Sequence, residues 1–127
     1  MLISFIVPVY NRDKLIHECL HSLLDHPWKD YEVILVDDAS TDDSAAVCDQ
    51  YAKDFPNIHT IHLAENSGPG YARNCGMEIA QGEWLFFLDS DDLICTKNLD
   101  NIIPQIENMP QSVDLIAVDI IDEWDGV

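Results

Sequence analysis

The chain has 127 residues, 47% of them hydrophobic, a length and composition that fit one globular domain with a real core and exclude a disordered chain or two full domains. Its 24 acids against 6 bases give a formal net charge of −18, a field that repels nucleic acid and anionic membrane surfaces. The same field repels a nucleotide phosphate unless a metal ion or a placed arginine intervenes; from Asp89 onward there are ten acids and one base, Lys97, and most of these acids are expected to be solvated surface.

The first apolar run, Ile3–Val9, is predicted as a buried strand. The stretch from Leu2 to Val9 lacks a basic start and a cleavage site and is too short to span a bilayer, so no membrane segment is expected. A helix follows near Lys14–Leu24, with Leu15, Ile16, Cys19, Leu20, Leu23 and Leu24 as its buried stripe. Strands are predicted next at Glu32–Val36, Ile58–Leu63, Trp84–Leu88 and Val113–Ile121, with Trp84–Leu88 read as buried. Helices fall between them near Asp42–Lys53, Tyr71–Ala80 and Asn98–Asn108, the last of which Pro104 should kink or split. Continuous apolar strands alternating with helices predict an α/β domain: a mostly parallel sheet with helices on both faces and right-handed crossovers. No repeat, linker or low-complexity stretch divides the chain, so a single domain over 1–127 is expected.

The four cysteines, Cys19, Cys48, Cys75 and Cys95, match no zinc or disulfide framework. Buried free thiols are expected, which fits a reducing cytoplasm.

In open α/β sheets ligands bind at the carboxyl ends of the strands, and the polar segments of this sequence fall there. They are Pro8-Val9-Tyr10-Asn11-Arg12, Asp37-Asp38-Ala39-Ser40-Thr41-Asp42, Glu65-Asn66-Ser67-Gly68-Pro69-Gly70 and Asp89-Ser90-Asp91-Asp92. In an extended chain residues i and i+2 share a side, so Asp89 and Asp91 can aim two carboxylates at one point. Like charges that close call for a cation between them, and a hard divalent ion, Mg²⁺ or Mn²⁺, prefers such oxygen ligands. An ion held by few carboxylates completes its shell with water and substrate phosphates, which points to phosphate chemistry.

Asp38 can accept hydrogen bonds from a base N–H or from ribose hydroxyls, whereas Ser40 or Thr41 is expected to cap the following helix. Gly68 to Asn74 forms a glycine-rich turn into a helix, whose backbone N–H groups favour anions. Arg73, expected in the first turn where a cation mildly opposes the helix dipole, is suited to pairing with a phosphate. The turn is not a dinucleotide fingerprint, because the third glycine is replaced and it follows the third strand. His17-Glu18-Cys19-Leu20-His21 literally matches the HExxH zinc-peptidase pattern, yet both histidines should lie opposite the buried stripe, on the solvated side. His59 and His62 are expected at an edge or on the surface.

Taken together, Ser4 to Asn11, Val36 to Asp42, Asn66 to Asn74 and Gly82 to Asp92 resemble, in order and spacing, the N-terminal nucleotide-sugar-binding half of a family 2 glycosyltransferase of the Rossmann-like GT-A fold. The resemblance spans nearly all of residues 1–121. It implies metal-dependent transfer of a sugar from a nucleotide diphosphate, commonly UDP, to a glycan or lipid-linked acceptor hydroxyl with inversion, in polysaccharide biosynthesis. It implies that Pro8, Val9, Tyr10, Asn11 and Asp38 hold base and ribose. Arg73 would approach the diphosphate, Asp89 and Ser90 the ribose or donor sugar, and Asp91, with Asp89, the Mn²⁺ or Mg²⁺ ion. Ala39 stands where the family often has glycine.

The chain stops soon after the fifth predicted strand, short of the acceptor half that holds the catalytic base in the family, so these residues alone are expected to be inactive. The resemblance also implies a cytoplasmic protein, at the inner face of the membrane only through regions not in this chain. Two other readings stand beside it: a non-catalytic nucleotide-binding or assembly module, which a homo-oligomer covering the missing half would favour, and a zinc hydrolase through His17 and His21.

Overall fold

The protein is described over residues 3–110 by a computed structural model. The elements run β1 (Ile3–Val9), α1 (Ile16–Leu24), β2 (Tyr31–Asp37), α2 (Ser44–Asp54), β3 (Ile58–His62), α3 (Pro69–Ile79), β4 (Trp84–Phe87) and α4 (Thr96–Glu107). The chain divides into two compact units, Met1–Thr96 and Lys97–Val127.

In the first unit all strand pairs are parallel and the sheet order is β3-β2-β1-β4. Every residue of β1 and β2 is buried, as expected of central parallel strands covered on both faces. On one face Phe5 meets Tyr31 and Phe86 at ring-centroid distances of 5.6 and 5.2 Å. α2 lies over this face through Asp49, whose Oδ1 accepts from Thr60 Oγ1 at 3.2 Å. On the other, Ile34, Val36 and Ala72 form a core against which Ile61, Leu63, Cys75 and Ala80 pack. α3 comes so close there that a Cβ on Gly76 would lie 2.6 Å from Ile6 Cγ2.

β4 departs from the buried strand expected. Among the described residues it is an edge strand, and its burial alternates, with Leu85 39% and Phe87 46% exposed. A run of five apolar residues carries no signal for which of its two faces is covered. In α1, Leu15 precedes the helix and is 49% exposed, so the stripe is Ile16, Cys19, Leu20, Leu23 and Leu24. Cys19 and Cys48 are buried free thiols as expected, but Cys75 is half-buried and Cys95 exposed.

At the end of the sheet where the strands begin, buried Glu32 accepts from Ser4 Oγ at 2.5 Å and from Gln81 N at 2.6 Å, and Gly82 N donates to Ser4 Oγ at 2.8 Å. This network ties the α3–β4 connection to the strand starts. Gly82 is required by the approach, since a Cβ would fall 2.6 Å from Ser4 N.

In the second unit α4 buries Leu99, Ile103 and Ile106, one stripe at helical spacing. Pro104 does not split the helix. It lies in the last turn, and its carbonyl accepts from the backbone N–H and the Nδ2 of Asn108, which closes the end. The strand predicted at Val113–Ile121 falls outside the described residues.

Candidate functional site

The strand order places the topological switch between β1 and β4: the chain winds outward from β1 through β2 to β3, then returns to lay β4 on the other side of β1. The crevice outside the strand ends at such a point is the ligand position of open α/β sheets. A cleft of about 340 Å³ lies there. Pro8, Val9, Tyr10 and Arg12 line it from the end of β1, and Asp38 from the end of β2. Pro69 and Arg73 come from α3, and Asp89, Ser90 and Asp91 from the loop after β4.

Asn11, expected among the contacts, is not part of the lining. It adopts φ 51°, and its Oδ1 accepts from Thr41 N at 2.8 Å, Thr41 Oγ1 at 3.3 Å and Asp42 N at 3.3 Å. Asn11 N in turn donates to Ser40 Oγ at 3.1 Å. The residue staples the first loop to the second. This occupies the groups expected to cap α2. The helix starts at Ser44 after Asp43, with no side-chain cap from Asp43, and Ser40 and Thr41 serve the loop contact instead. Just before them Ala39 sits at φ 56°, in the left-handed region that favours glycine.

Asp38 is 3% exposed and spends most of its carboxylate on the third loop. Oδ1 accepts from Ser67 N at 2.7 Å, and Oδ2 from Gly68 N at 2.9 Å and Asn66 Nδ2 at 3.2 Å. An ionised carboxylate has about four acceptor sites, so one on Oδ1 remains for a ligand N–H or O–H. Asp37 beside it accepts from Ser40 N at 3.1 Å and meets His62 Nδ1 at 3.0 Å, while His62 Nε2 meets Asp49 Oδ1 at 2.7 Å. The hydrogen bond to Asp37, and then the one to Asp49, pushes the His62 pKa up.

After β4 the predicted acids converge. Carboxylate oxygens of Asp89, Asp91 and Asp92 lie within 4.8 Å of one another, on a turn closed by Asp92 N donating to Asp89 O at 3.0 Å. Burial, then the charges of Asp91 and Asp89, raises the Asp92 pKa. Beneath the turn the Cys19 thiol donates to Asp89 O at 3.5 Å, and burial, with the charges of Asp92, Asp91 and Asp89, pushes its pKa up to about 12. It stays a thiol at neutral pH and is no nucleophile. Three hard oxygen donors and no nitrogen or thiolate suit Mg²⁺ or Mn²⁺.

Two of the three acids each face an arginine. Arg73 Nη2 donates to Asp89 Oδ1 at 3.1 Å, and Arg12 Nε stands 3.9 Å from Asp91 Oδ2. Because α3 begins at Pro69, two residues earlier than predicted, Arg73 falls in its second turn. Arg12 is a site residue not selected from sequence. The signal was its place directly after the first strand's polar end.

The HExxH histidines lie on the exposed side of α1, as expected. His17 Nδ1 meets Tyr51 Oη at 2.7 Å and His21 Nδ1 meets Asp25 Oδ1 at 3.2 Å, and both rings pack against Tyr51. Among the described residues the metal-type cluster is the acidic triad.

A family model described as glycosyl transferase family 2 matches residues 4–126. The poly(ribitol-phosphate) beta-glucosyltransferase of Bacillus spizizenii is 48% identical over 78% of this chain and 16% of its own length. The crystal structure of Staphylococcus aureus TarS in complex with UDP-GlcNAc superposes with a TM-score of 0.77 at 38% identity, over 84% of this chain and 31% of that one. A mannosyltransferase from Pyrobaculum calidifontis, in complex with GDP-Man and Mn²⁺, gives 0.72 at 29% identity, over 80% and 31%. The chain thus spans under a third of each of these relatives.

Proposed function

The chain belongs to glycosyl transferase family 2, with its GT-A fold, and on that premise we propose that it is the donor-binding part of an inverting, metal-dependent glycosyltransferase that takes a UDP-linked sugar. The observation that carries this is the acidic turn. Three carboxylates converge beside two arginines, in a cleft at the switch point, in a chain of net charge −18. The relatives' UDP-GlcNAc and GDP-Man–Mn²⁺ complexes support the ligand class.

In this reading Pro8, Val9 and Tyr10 wall the base and ribose, and the free acceptor site of Asp38 takes a base N–H or ribose hydroxyl. Asn11 acts through the second loop. Asp89 and Ser90 face the ribose or donor sugar, and Asp91, with Asp89 and Asp92, holds Mn²⁺ or Mg²⁺. A bound divalent ion neutralises the charge that develops on the leaving diphosphate. Arg12 and Arg73 add the remaining positive charge at the diphosphate. The acceptor is the hydroxyl of a glycan or lipid-linked glycan, and the base that inversion needs is assigned to none of the described residues. Four free thiols, two of them buried, support a reducing cytoplasm as the setting.

Isothermal calorimetry with UDP, with and without Mn²⁺, tests the reading. UDP should bind at least about tenfold more tightly with the metal than without it, and Asp91→Asn should weaken the metal-dependent binding by about tenfold or more, the loss of a charged ligand contact. Metal-independent binding, or no effect of Asp91→Asn, overturns it.

A further inference from the structure

The sequence contains only two arginines, and both line this cleft. Each stands against a carboxylate of the acidic turn, Arg73 at 3.1 Å from Asp89 and Arg12 at 3.9 Å from Asp91. Arg12 is anchored from behind, since its Nη1 donates to the carbonyls of Tyr10 and Asn11 at 3.2 Å each. Both pairs are half-exposed, so each is weak and readily exchanged.

We propose that Arg12 and Arg73 are built-in counter-ions of the acidic turn, which release Asp91 and Asp89 to take a diphosphate, so that metal ion and nucleotide bind cooperatively by exchanging ion-pair partners. The proposal rests on the cleft being the nucleotide–metal site. A dication approaching the turn alone must displace or crowd two guanidinium groups. A diphosphate arriving alone must draw the arginines from carboxylates that then repel one another. Arriving together, the ion takes the carboxylates and the phosphates take the arginines, so each charged group gains a partner of opposite sign. The planar guanidinium fork suits both partners, since carboxylate and phosphate offer it the same pair of oxygens. In thermodynamic terms the coupling is reciprocal: UDP raises Mn²⁺ affinity by the factor by which Mn²⁺ raises UDP affinity.

The test compares Mn²⁺ affinity, measured by calorimetry alone and at saturating UDP, in wild type and Arg73→Ala. With the arginine gone, Mn²⁺ alone should bind up to about fivefold tighter, the range of an exposed ion pair. At saturating UDP it should bind as in wild type, because there the arginine has already left Asp89. The ratio of the two affinities therefore shrinks. Arg12→Ala should shift the same way by less, in keeping with its longer distance, and Arg73→Lys should fall between wild type and Arg73→Ala. Mn²⁺ affinity that is unchanged or weaker in Arg73→Ala overturns the proposal. So does tightening by the same factor with and without UDP, the mark of a plain field effect. Wild-type protein that shows no Mn²⁺-dependent UDP binding at all overturns the site reading itself, and the proposal with it.

Discussion

Asp38 shows how one side chain can be both scaffold and site. Its carboxylate accepts from Ser67 N, Gly68 N and Asn66 Nδ2, so it holds the loop that delivers Pro69 and Arg73, and it keeps one acceptor position on the cleft. In Asp38→Asn the amide NH₂ must face one of the two backbone N–H donors, leaving a buried donor unpaired. The expected loss is about 2 kcal/mol of stability, read as a lower urea midpoint with an unchanged slope. A loss under about 0.5 kcal/mol, the level of an ordinary surface substitution, would mean the loop is held by something else. Ala39, one residue on, shows the opposite economy. At φ 56° an alanine bears a cost of about 1 kcal/mol that a glycine would not, and the staples from Asn11 and Asp37 on either side hold it there.

Between elements, His62 is the joint. From the end of β3 it reaches Asp37 at the end of β2 and Asp49 in α2, while Thr60 Oγ1 also donates to Asp49. Asp37 in turn fixes Ser40 N, and Ser40 meets Asn11 N, so the joint supports the second loop of the site. Its native pKa is raised above the ordinary 6.5, first by the hydrogen bond to Asp37. A raised histidine stabilises the fold fully below its unfolded value and loses that contribution as pH rises through the native value. The stability gap between wild type and His62→Gln should therefore be widest at about pH 6 and narrow by about pH 9, within about 1 kcal/mol because the ring is exposed to solvent. Denaturant titrations at the two pH values measure it, and a gap that widens with pH would refute the joint. None of this was legible in the sequence. His62 is an exposed residue on an edge strand of the described residues, as expected, but the partners that make it a joint lie 13 and 25 positions away. The four strands of the described residues were legible, β1 to its bounds, and the continuous apolar runs of β1 and β2 reflect burial on both sides. Helix starts were less so: the cap of α2 was misplaced because Ser40 and Thr41 bond across loops, a choice local sequence does not encode. Arg12 was missed for the same reason. Its partner Asp91 is adjacent only once β4 lies beside β1.

The molecule as a whole is an acidic body with its two arginines gathered in one cleft. Fold and charge act together here. The β3-β2-β1-β4 order sets the first loop, with Arg12, against the turn after β4, and α3 carries Arg73 to the same place. Elsewhere the charge is mostly repulsive, and a net −18 over 127 residues opposes the compact state. At about 10 mM salt the Debye length is about 30 Å, so acids across the whole molecule feel one another, whereas near 0.15 M it falls to about 8 Å. Screening should therefore stabilise the fold even though it weakens the pairs Arg73–Asp89 and Arg12–Asp91, which are half-exposed and contribute little each. The melting temperature should rise by about 3–6 °C between about 10 mM and about 300 mM NaCl, equivalent to about 1 kcal/mol for a domain of this size. KCl should give the same rise, because screening does not distinguish the ions. Thermal unfolding followed by circular dichroism measures this, and a melting temperature that stays flat or falls with salt would show that attractive pairs, not net repulsion, govern the charge balance of the fold.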